Sequence, residues 1–298
     1  MKNVLITTIL SFSFSLGFAQ NGKILSKELI DLKTSEYWYK LSENDTLKAE
    51  YKYLNKLDFY EITYQSDSSI VKGMILEPKK EGLYPAVIFN RGGNTDAGKL
   101  DAYLLIVFTS KLAEQGYVIV GTNYRDEEEY GGEDINDVLY LTETLKEIKK
   151  ADTSRIGMFG WSRGGMMTYL ALKKSDNIKT AIVGNGPSDL FAIAEYRPFL
   201  EENVFARYIP NYWENKEAEL KKRSVLYWAD ELNKNSSLLI LCGTKDRSCP
   251  QEQSDKISHL LEQLAYDYQL KKYETDHLFS DKRDELNEEI INWLNSRL

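Results

Sequence analysis

Ser162 stands inside Gly160-Trp161-Ser162-Arg163-Gly164, a Gly-x-Ser-x-Gly pattern extended by Gly165. A serine flanked in this way does nucleophilic chemistry when a strand enters the turn and a helix leaves it. Residues 155–159 before it read as a buried strand, and residues 163–174 after it repeat apolar side chains at helical spacing. The turn between them exposes the serine, and its glycines are needed where neighbouring chain passes closely. The hydroxyl then lies near a helix N-terminus, whose free amides favour developing negative charge.

A hydroxyl is a poor nucleophile without a base, and the base needs an orienting carboxylate. The chain has only two histidines, His259 and His277. Residues 268–273 read as a strand followed by Glu274-Thr275-Asp276-His277, which makes His277 the base candidate. His259 falls inside a helical pattern over residues 251–265, far from any strand end. The apolar run 238–241 is followed by Gly243-Thr244-Lys245-Asp246-Arg247, which makes Asp246 the acid candidate. Asp276 and Asp281 are rivals, although a carboxylate next to the histidine in sequence points away from it. An oxyanion intermediate also needs preplaced donors. One is the backbone N–H of Arg163. The second is expected from Asn90-Arg91-Gly92-Gly93, where glycine permits close backbone approach and Arg91 and Gly92 are the candidates.

The elements that would hold a nucleophile, an acid and a base at strand ends are read from the alternation of strands and helices. Compact apolar runs at 86–89, 117–120, 155–159, 181–183 and 238–241 do not alternate, the texture of strands covered on both faces. Residues 59–64 and 70–76 alternate around a Ser/Asp-rich turn, as a hairpin does. With 268–273 they predict a mostly parallel, eight-stranded sheet. Helical patterns at 100–115, 133–150, 163–174, 251–265 and 282–298 place helices on both faces of an α/β fold. Residues 187–236 break this rhythm, are too long for a plain loop, and read as a helical, aromatic cap insertion. Residues 20–57, rich in Lys and Glu and helix-leaning, read as an N-terminal arm ahead of a catalytic domain over 58–298.

Residues 1–19 carry Lys2, then an apolar run ending Gly17-Phe18-Ala19. This is the three-part pattern of a secretory signal peptide cut after Ala19, and the run is shorter than the roughly twenty residues that span a bilayer. The mature chain is therefore expected to be exported, periplasmic or secreted, and no later segment is apolar enough to cross a membrane. In 298 residues, 46 Asp and Glu outweigh 38 Lys and Arg for a formal charge of −8, which argues against a nucleic-acid partner. Two cysteines exclude a disulfide-rich scaffold and a four-cysteine zinc site, and two histidines exclude a histidine-rich metal centre. Neither a metal nor a cofactor is expected. Cys242 and Cys249 bracket the acid loop, either as a disulfide or as buried thiols. Asp126-Glu127-Glu128-Glu129 reads as a solvated acidic turn, with attraction of a peptide amine as its functional alternative. Arg197 and Arg207 in the cap read as solvent-facing, with a substrate carboxylate as theirs.

Gly160-Trp161-Ser162-Arg163-Gly164-Gly165 resembles the nucleophile motif of the prolyl oligopeptidase-type serine peptidases, which share the α/β-hydrolase fold. Asn123-Tyr124-Arg125 with Tyr130-Gly131-Gly132, and Arg223-Ser224 with Tyr227-Trp228-Ala229-Asp230, are similar to two further segments of that family. Cys242-Gly243-Thr244-Lys245-Asp246 and Asp276-His277-Leu278-Phe279 resemble its acid and histidine motifs. The likeness runs from about residue 60 to the C-terminus and implies a Ser-His-Asp triad of Ser162, His277 and Asp246. Two departures stand out. Family peptidases commonly carry a β-propeller ahead of the catalytic domain, whereas here fewer than forty residues lie between the leader and the first strand of the pattern. Arg91 occupies the place where the family often has an oxyanion-binding tyrosine. An exported serine hydrolase acting on a small peptide is thus the leading expectation. A carboxylesterase, for instance on polysaccharide acyl groups, is the alternative, and a non-catalytic binding protein on the same fold is a distant third. Replacing Ser162 or His277 is expected to cut turnover on the order of 10⁴-fold. The base works only when neutral, so the rate should fall on acidification; a profile flat down to about pH 4 would remove His277 from that role.

Overall fold

A computed structural model describes residues 20–94 and 97–298, so the leader expected over residues 1–19 lies outside the described residues. The strands are β1 (Ile24–Leu29), β2 (Ser42–Glu43), β3 (Thr46–Leu47), β4 (Leu57–Ser66), β5 (Ser69–Pro78), β6 (Tyr84–Asn90), β7 (Val118–Thr122), β8 (Ala151–Trp161), β9 (Thr180–Gly184), β10 (Ser237–Gly243) and β11 (Tyr268–Tyr273). β2 and β3 form a small separate hairpin, and the others form one sheet in the order β1-β4-β5-β7-β6-β8-β9-β10-β11. From β7 to β11 in this order, neighbouring strands are parallel. The β1–β4, β4–β5 and β5–β7 pairs are antiparallel. Parallel strands covered on both faces read as unbroken apolar runs because every side chain enters a core. In β6, Ala86 and Ile88 enter one core while Val87 and Phe89 enter the other.

Among the described residues the sheet has nine strands rather than the expected eight. The extra strand, β1, falls in the segment read as a helix-leaning arm. Its residues after Ile24 are all exposed, so it lacks the apolar run that marks a covered strand. Backbone pairing with β4 holds it instead, from Ile24 opposite Tyr64 to Leu29 opposite Tyr60. The hairpin β4–β5 and the six parallel strands follow the sequence pattern closely.

Helices fill both faces. Arg163–Lys174, Gln251–Gln263 and Arg283–Arg297 form close to where periodicity places them. The helix expected over 100–115 is broken into Ala102–Phe108 and Ser110–Glu114. At the break, the Thr109 and Ser110 hydroxyls donate to the carbonyls of Leu105 and Ile106, a back-bonding that bends helices. The expectation at 133–150 likewise resolves into short pieces, Ile135–Leu139, Leu141–Thr144 and Leu145–Glu147. The 187–236 insertion is built of helical segments joined by turns, with Leu190–Tyr196 and Tyr212–Arg223 as the longer ones. Phe205, Tyr212 and Trp228 are buried, whereas Tyr196, Phe199, Trp213 and Tyr227 are exposed. No helix among the described residues is long and apolar enough to cross a membrane.

Helix Arg163–Lys174 packs so closely on β6 that a β-carbon at Gly164 would collide with the Asn90 carbonyl oxygen. Gly164→Ala is therefore expected to destabilise the fold by about 3 kcal/mol or more through overpacking. A denaturant midpoint equal to wild type would contradict that close approach.

Candidate active site

Arg91, Gly92, Ser162, Asp246 and His277 lie on the turns and loops that follow the ends of parallel strands. Asn90 closes β6, Trp161 closes β8, Gly184 closes β9, Gly243 closes β10 and Tyr273 closes β11. In open α/β sheets this carboxyl edge is where ligands bind. Ser162 sits at φ 56° and ψ −125°, between β8 and the helix beginning at Arg163. A non-glycine residue there costs roughly 1–3 kcal/mol and persists only when its surroundings hold it. Here the Ser162 amide donates to the Gly184 carbonyl at 2.9 Å, and the Gly165 amide donates to the Ser162 carbonyl at 2.8 Å. The hydroxyl makes no capping bond to the helix, which leaves it to project from the turn. The Arg163 amide is among the unpaired donors of the helix N-terminus.

Asp246 and His277 are brought together. His277 Nδ1 lies 2.6 Å from Asp246 Oδ2, so Nε2 is the nitrogen left to exchange a proton with a hydroxyl. The Asp246 side chain is fully buried, and its Oδ1 accepts the Ser248 and Cys249 amides at 2.7 and 2.9 Å. A buried carboxylate with both oxygens engaged is held in one orientation. The His277 carbonyl is fixed as well, by the Trp161 indole N–H at 3.1 Å and the Asn185 side-chain amide at 2.9 Å. Asn185 Oδ1 accepts the Gly243 amide at 2.8 Å, so one side chain joins the ends of β9 and β10 to the histidine loop.

The alternatives sort themselves by place. His259 is exposed and bonds Gln263 one turn along its own helix. Asp276 accepts the Leu278 amide and the Ser280 amide and hydroxyl, and these Ser280 bonds hold its carboxyl below the ordinary value. Asp281 binds the Thr275 hydroxyl. Both rivals thus shape the turn that carries His277. Cys242 and Cys249 are free, buried thiols, and burial raises the pKa of each.

The loop after β6 lies against the nucleophile. A β-carbon on Gly92 would stand 3.1 Å from both Ser162 Cβ and the Trp161 carbonyl oxygen, tighter than ordinary contact, so glycine lets the two segments approach without displacement. The Arg91 side chain is engaged by the backbone around it. Its buried guanidinium donates to the carbonyls of Gly92 at 2.9 Å, Asn94 at 3.2 Å and Asn123 at 2.7 Å. Both terminal nitrogens of Arg91 are thus bonded to backbone carbonyls.

Sequence reasoning missed a buried ion group beneath this loop. Arg163 donates to Glu128 Oε2 and Asp134 Oδ2, each at 2.6 Å, and all three side chains are at most 1% exposed. Burial would lower the Arg163 pKa, but Asp134 and then Glu128 outweigh it and the net shift is upward. Glu128 therefore corrects the reading of residues 126–129 as solvated: Asp126 and Glu127 are exposed, but Glu128 is not. Nothing in a run of four acids marks which one turns inward. Arg197 is also not solvent-facing, because it is half-buried and its guanidinium donates to the Ser248 carbonyl at 3.3 Å, on the acid loop.

The sequence profile of the prolyl oligopeptidase family matches residues 109–298. Uncharacterized peptidase YtmA of Bacillus subtilis is 27% identical over 248 residues, covering 80% of this chain and 93% of that protein. Uncharacterized peptidase YuxL of the same organism is 26% identical over 240 residues, 72% of this chain but 34% of its own length. Among solved structures, the Pyrococcus horikoshii acylaminoacyl peptidase matches with a TM-score of 0.68 at 24% identity, over 84% of this chain and 43% of that one. Esterase B from Lactobacillus Rhamnosis matches with a TM-score of 0.65 at 16% identity, over 81% and 86%. These structures share the α/β-hydrolase fold with this chain, which spans less than half of YuxL and of the acylaminoacyl peptidase.

Asn185→Gly keeps a backbone suited to the positive φ of this position while deleting both side-chain bonds. At about 1 kcal/mol per bond, kcat is expected to fall roughly tenfold or more with KM little changed. An unchanged kcat in the folded variant would show that Asn185 does not hold the histidine loop for turnover.

Proposed function

We propose, on the premise that the chain belongs to the prolyl oligopeptidase family, that it cleaves small peptides with Ser162 as nucleophile, His277 as base and Asp246 as acid. The family and its peptidase relatives make it a serine hydrolase, and the residue roles are our reading. One observation carries that reading. It is the 2.6 Å bond from His277 Nδ1 to an Asp246 whose other oxygen already accepts two backbone amides. Such a carboxylate fixes the imidazole tautomer and stabilises the cation formed during the reaction.

In this mechanism Ser162 Oγ attacks the substrate carbonyl carbon as His277 Nε2 takes the hydroxyl proton. The carbonyl oxygen becomes an oxyanion beside the Arg163 amide and the Gly92 backbone. The tetrahedral intermediate collapses, the carbon–nitrogen bond breaks, and His277 returns the proton to the leaving amine. Water then attacks the acyl-serine with the same base, releasing the carboxylic acid and restoring Ser162.

An ester substrate is the second reading, favoured by the match to esterase B over 86% of that chain. The acylaminoacyl peptidase, by contrast, carries more than half of its length outside the match. We further infer export, supported by Lys2, the apolar run and Gly17-Phe18-Ala19. Cleavage after Ala19 leaves Gln20 as the first residue, which sequencing of the mature N-terminus reads directly.

A fluorophosphonate probe is expected to label wild type and not Ser162→Ala; equal labelling of the two would defeat the triad assignment. Parallel assays on aminoacyl anilides and on acetyl or feruloyl esters then separate the substrates. Turnover of anilides is expected, and activity on esters alone would defeat the peptidase reading.

A further inference from the structure

We propose that Tyr124, by its hydroxyl, and Glu128 and Asp134, through the guanidiniums of Arg91 and Arg163, are positioning residues that set the oxyanion-binding face of the loop Arg91-Gly92-Gly93. The proposal rests on the triad reading above and adds a specific device to it.

A trans peptide unit points its C=O and N–H in opposite directions, so holding a carbonyl aims the amide on its far side. Three consecutive carbonyls of this loop are held. The Tyr124 hydroxyl donates to the Arg91 carbonyl at 3.0 Å. The Arg91 guanidinium donates to the Gly92 carbonyl at 2.9 Å, and the Arg163 guanidinium to the Gly93 carbonyl at 3.1 Å. The Gly92 and Gly93 amides are thereby turned away from the ion group. Among the described residues neither amide has a backbone acceptor, whereas the next amide, of Asn94, donates to the Ala97 carbonyl at 2.9 Å. Gly92 is also the residue that lies against Ser162.

The two guanidiniums are held in turn. Glu128 Oε2 lies 2.6 Å from Arg163 Nη1 and 3.9 Å from Arg91 Nη2, so one carboxylate faces both. Asp134 takes the other Arg163 nitrogen at 2.6 Å and accepts the Gly131 amide at 2.9 Å. The Tyr124 ring lies 4.8 Å from the Arg91 guanidinium and 4.6 Å from that of Arg163. Two cations and two carboxylates make a neutral buried set, and such a set tolerates the loss of a member poorly. Arg163 supplies the amide next to the nucleophile and also grips the Gly93 carbonyl. A single side chain thus links two donor segments about seventy residues apart in sequence.

The test compares Tyr124→Phe, which deletes one hydroxyl, with Glu128→Gln, which deletes one charge, in the full chain. Each is assayed for kcat and KM on the substrate that wild type turns over. Each is also assayed for affinity toward a peptide aldehyde, whose adduct with serine places an oxyanion at the same point. Since losing one oxyanion donor costs about 10²–10³-fold in kcat, a misaimed donor is expected to cost about tenfold in Tyr124→Phe and about a hundredfold in Glu128→Gln. Aldehyde affinity should fall in parallel, while KM stays within about twofold. Wild-type kcat in a folded Tyr124→Phe overturns the proposal, even if Glu128→Gln fails to fold. So does a fall in kcat with unchanged aldehyde affinity, which indicates a merely structural role. Failure of wild type to react with a fluorophosphonate would instead defeat the triad reading itself.

Discussion

A serine at φ 56° does not stay there unaided, and much of the structure around the site is what holds it. The turn is gripped by β9 through the Gly184 carbonyl and by its own helix through the Gly165 amide. Close packing of Gly164 on the end of β6 then fixes the distance between the nucleophile and the loop bearing Gly92. The same turn reaches the base, because the Trp161 indole bonds the His277 carbonyl. Strain at one residue is in this way distributed over four strand ends.

Charge is the second constraint, and it extends the first toward the cap. Burying Arg163 beside the nucleophile is tolerable only because Asp134 and Glu128 accompany it. The segment carrying Glu128 is held from the cap side, since the Arg223 guanidinium donates to the carbonyls of Glu129 and Tyr130, each at 2.9 Å. Arg223 ends the helix Tyr212–Arg223, and the Ser224 hydroxyl beside it accepts the Leu190 amide at the start of the cap. The cap is therefore bonded into the loop that supports the ion group, as well as resting on the apolar core.

The legible and illegible parts of this molecule divide on physical grounds. Strands buried on both faces announce themselves as apolar runs, so β6 to β10 were readable, whereas β1, an edge strand held by backbone bonds, has no such signature. Ser162, Asp246 and His277 could be nominated because their roles demand particular residue types at strand ends, and two histidines left little choice. Glu128, Asp134 and Asn185 act through tertiary contacts whose partners lie 35, 29 and 92 residues away. Their residue types are ordinary for loops, so the sequence offers no reason to prefer them to their neighbours. Arg91 is similar: nothing in its sequence surroundings foretells that its guanidinium is buried among the carbonyls of Gly92, Asn94 and Asn123.

The outermost strand has a bearing on how copies of this chain treat one another. Among the described residues β1 has a neighbour on one edge alone, and an open edge is a template on which another polypeptide can add a strand. The edge here is poorly suited to that. The register slips between Ile24 and Ser26, Lys27 and Glu28 interrupt the short strand with charge, and Lys27 reaches across to Glu77 at 3.7 Å. Irregular pairing and solvated charge make a flat, continuous β-interface costly. At this edge the six residues that extend the sheet thereby also discourage its growth into intermolecular ribbons, a form of colloidal protection.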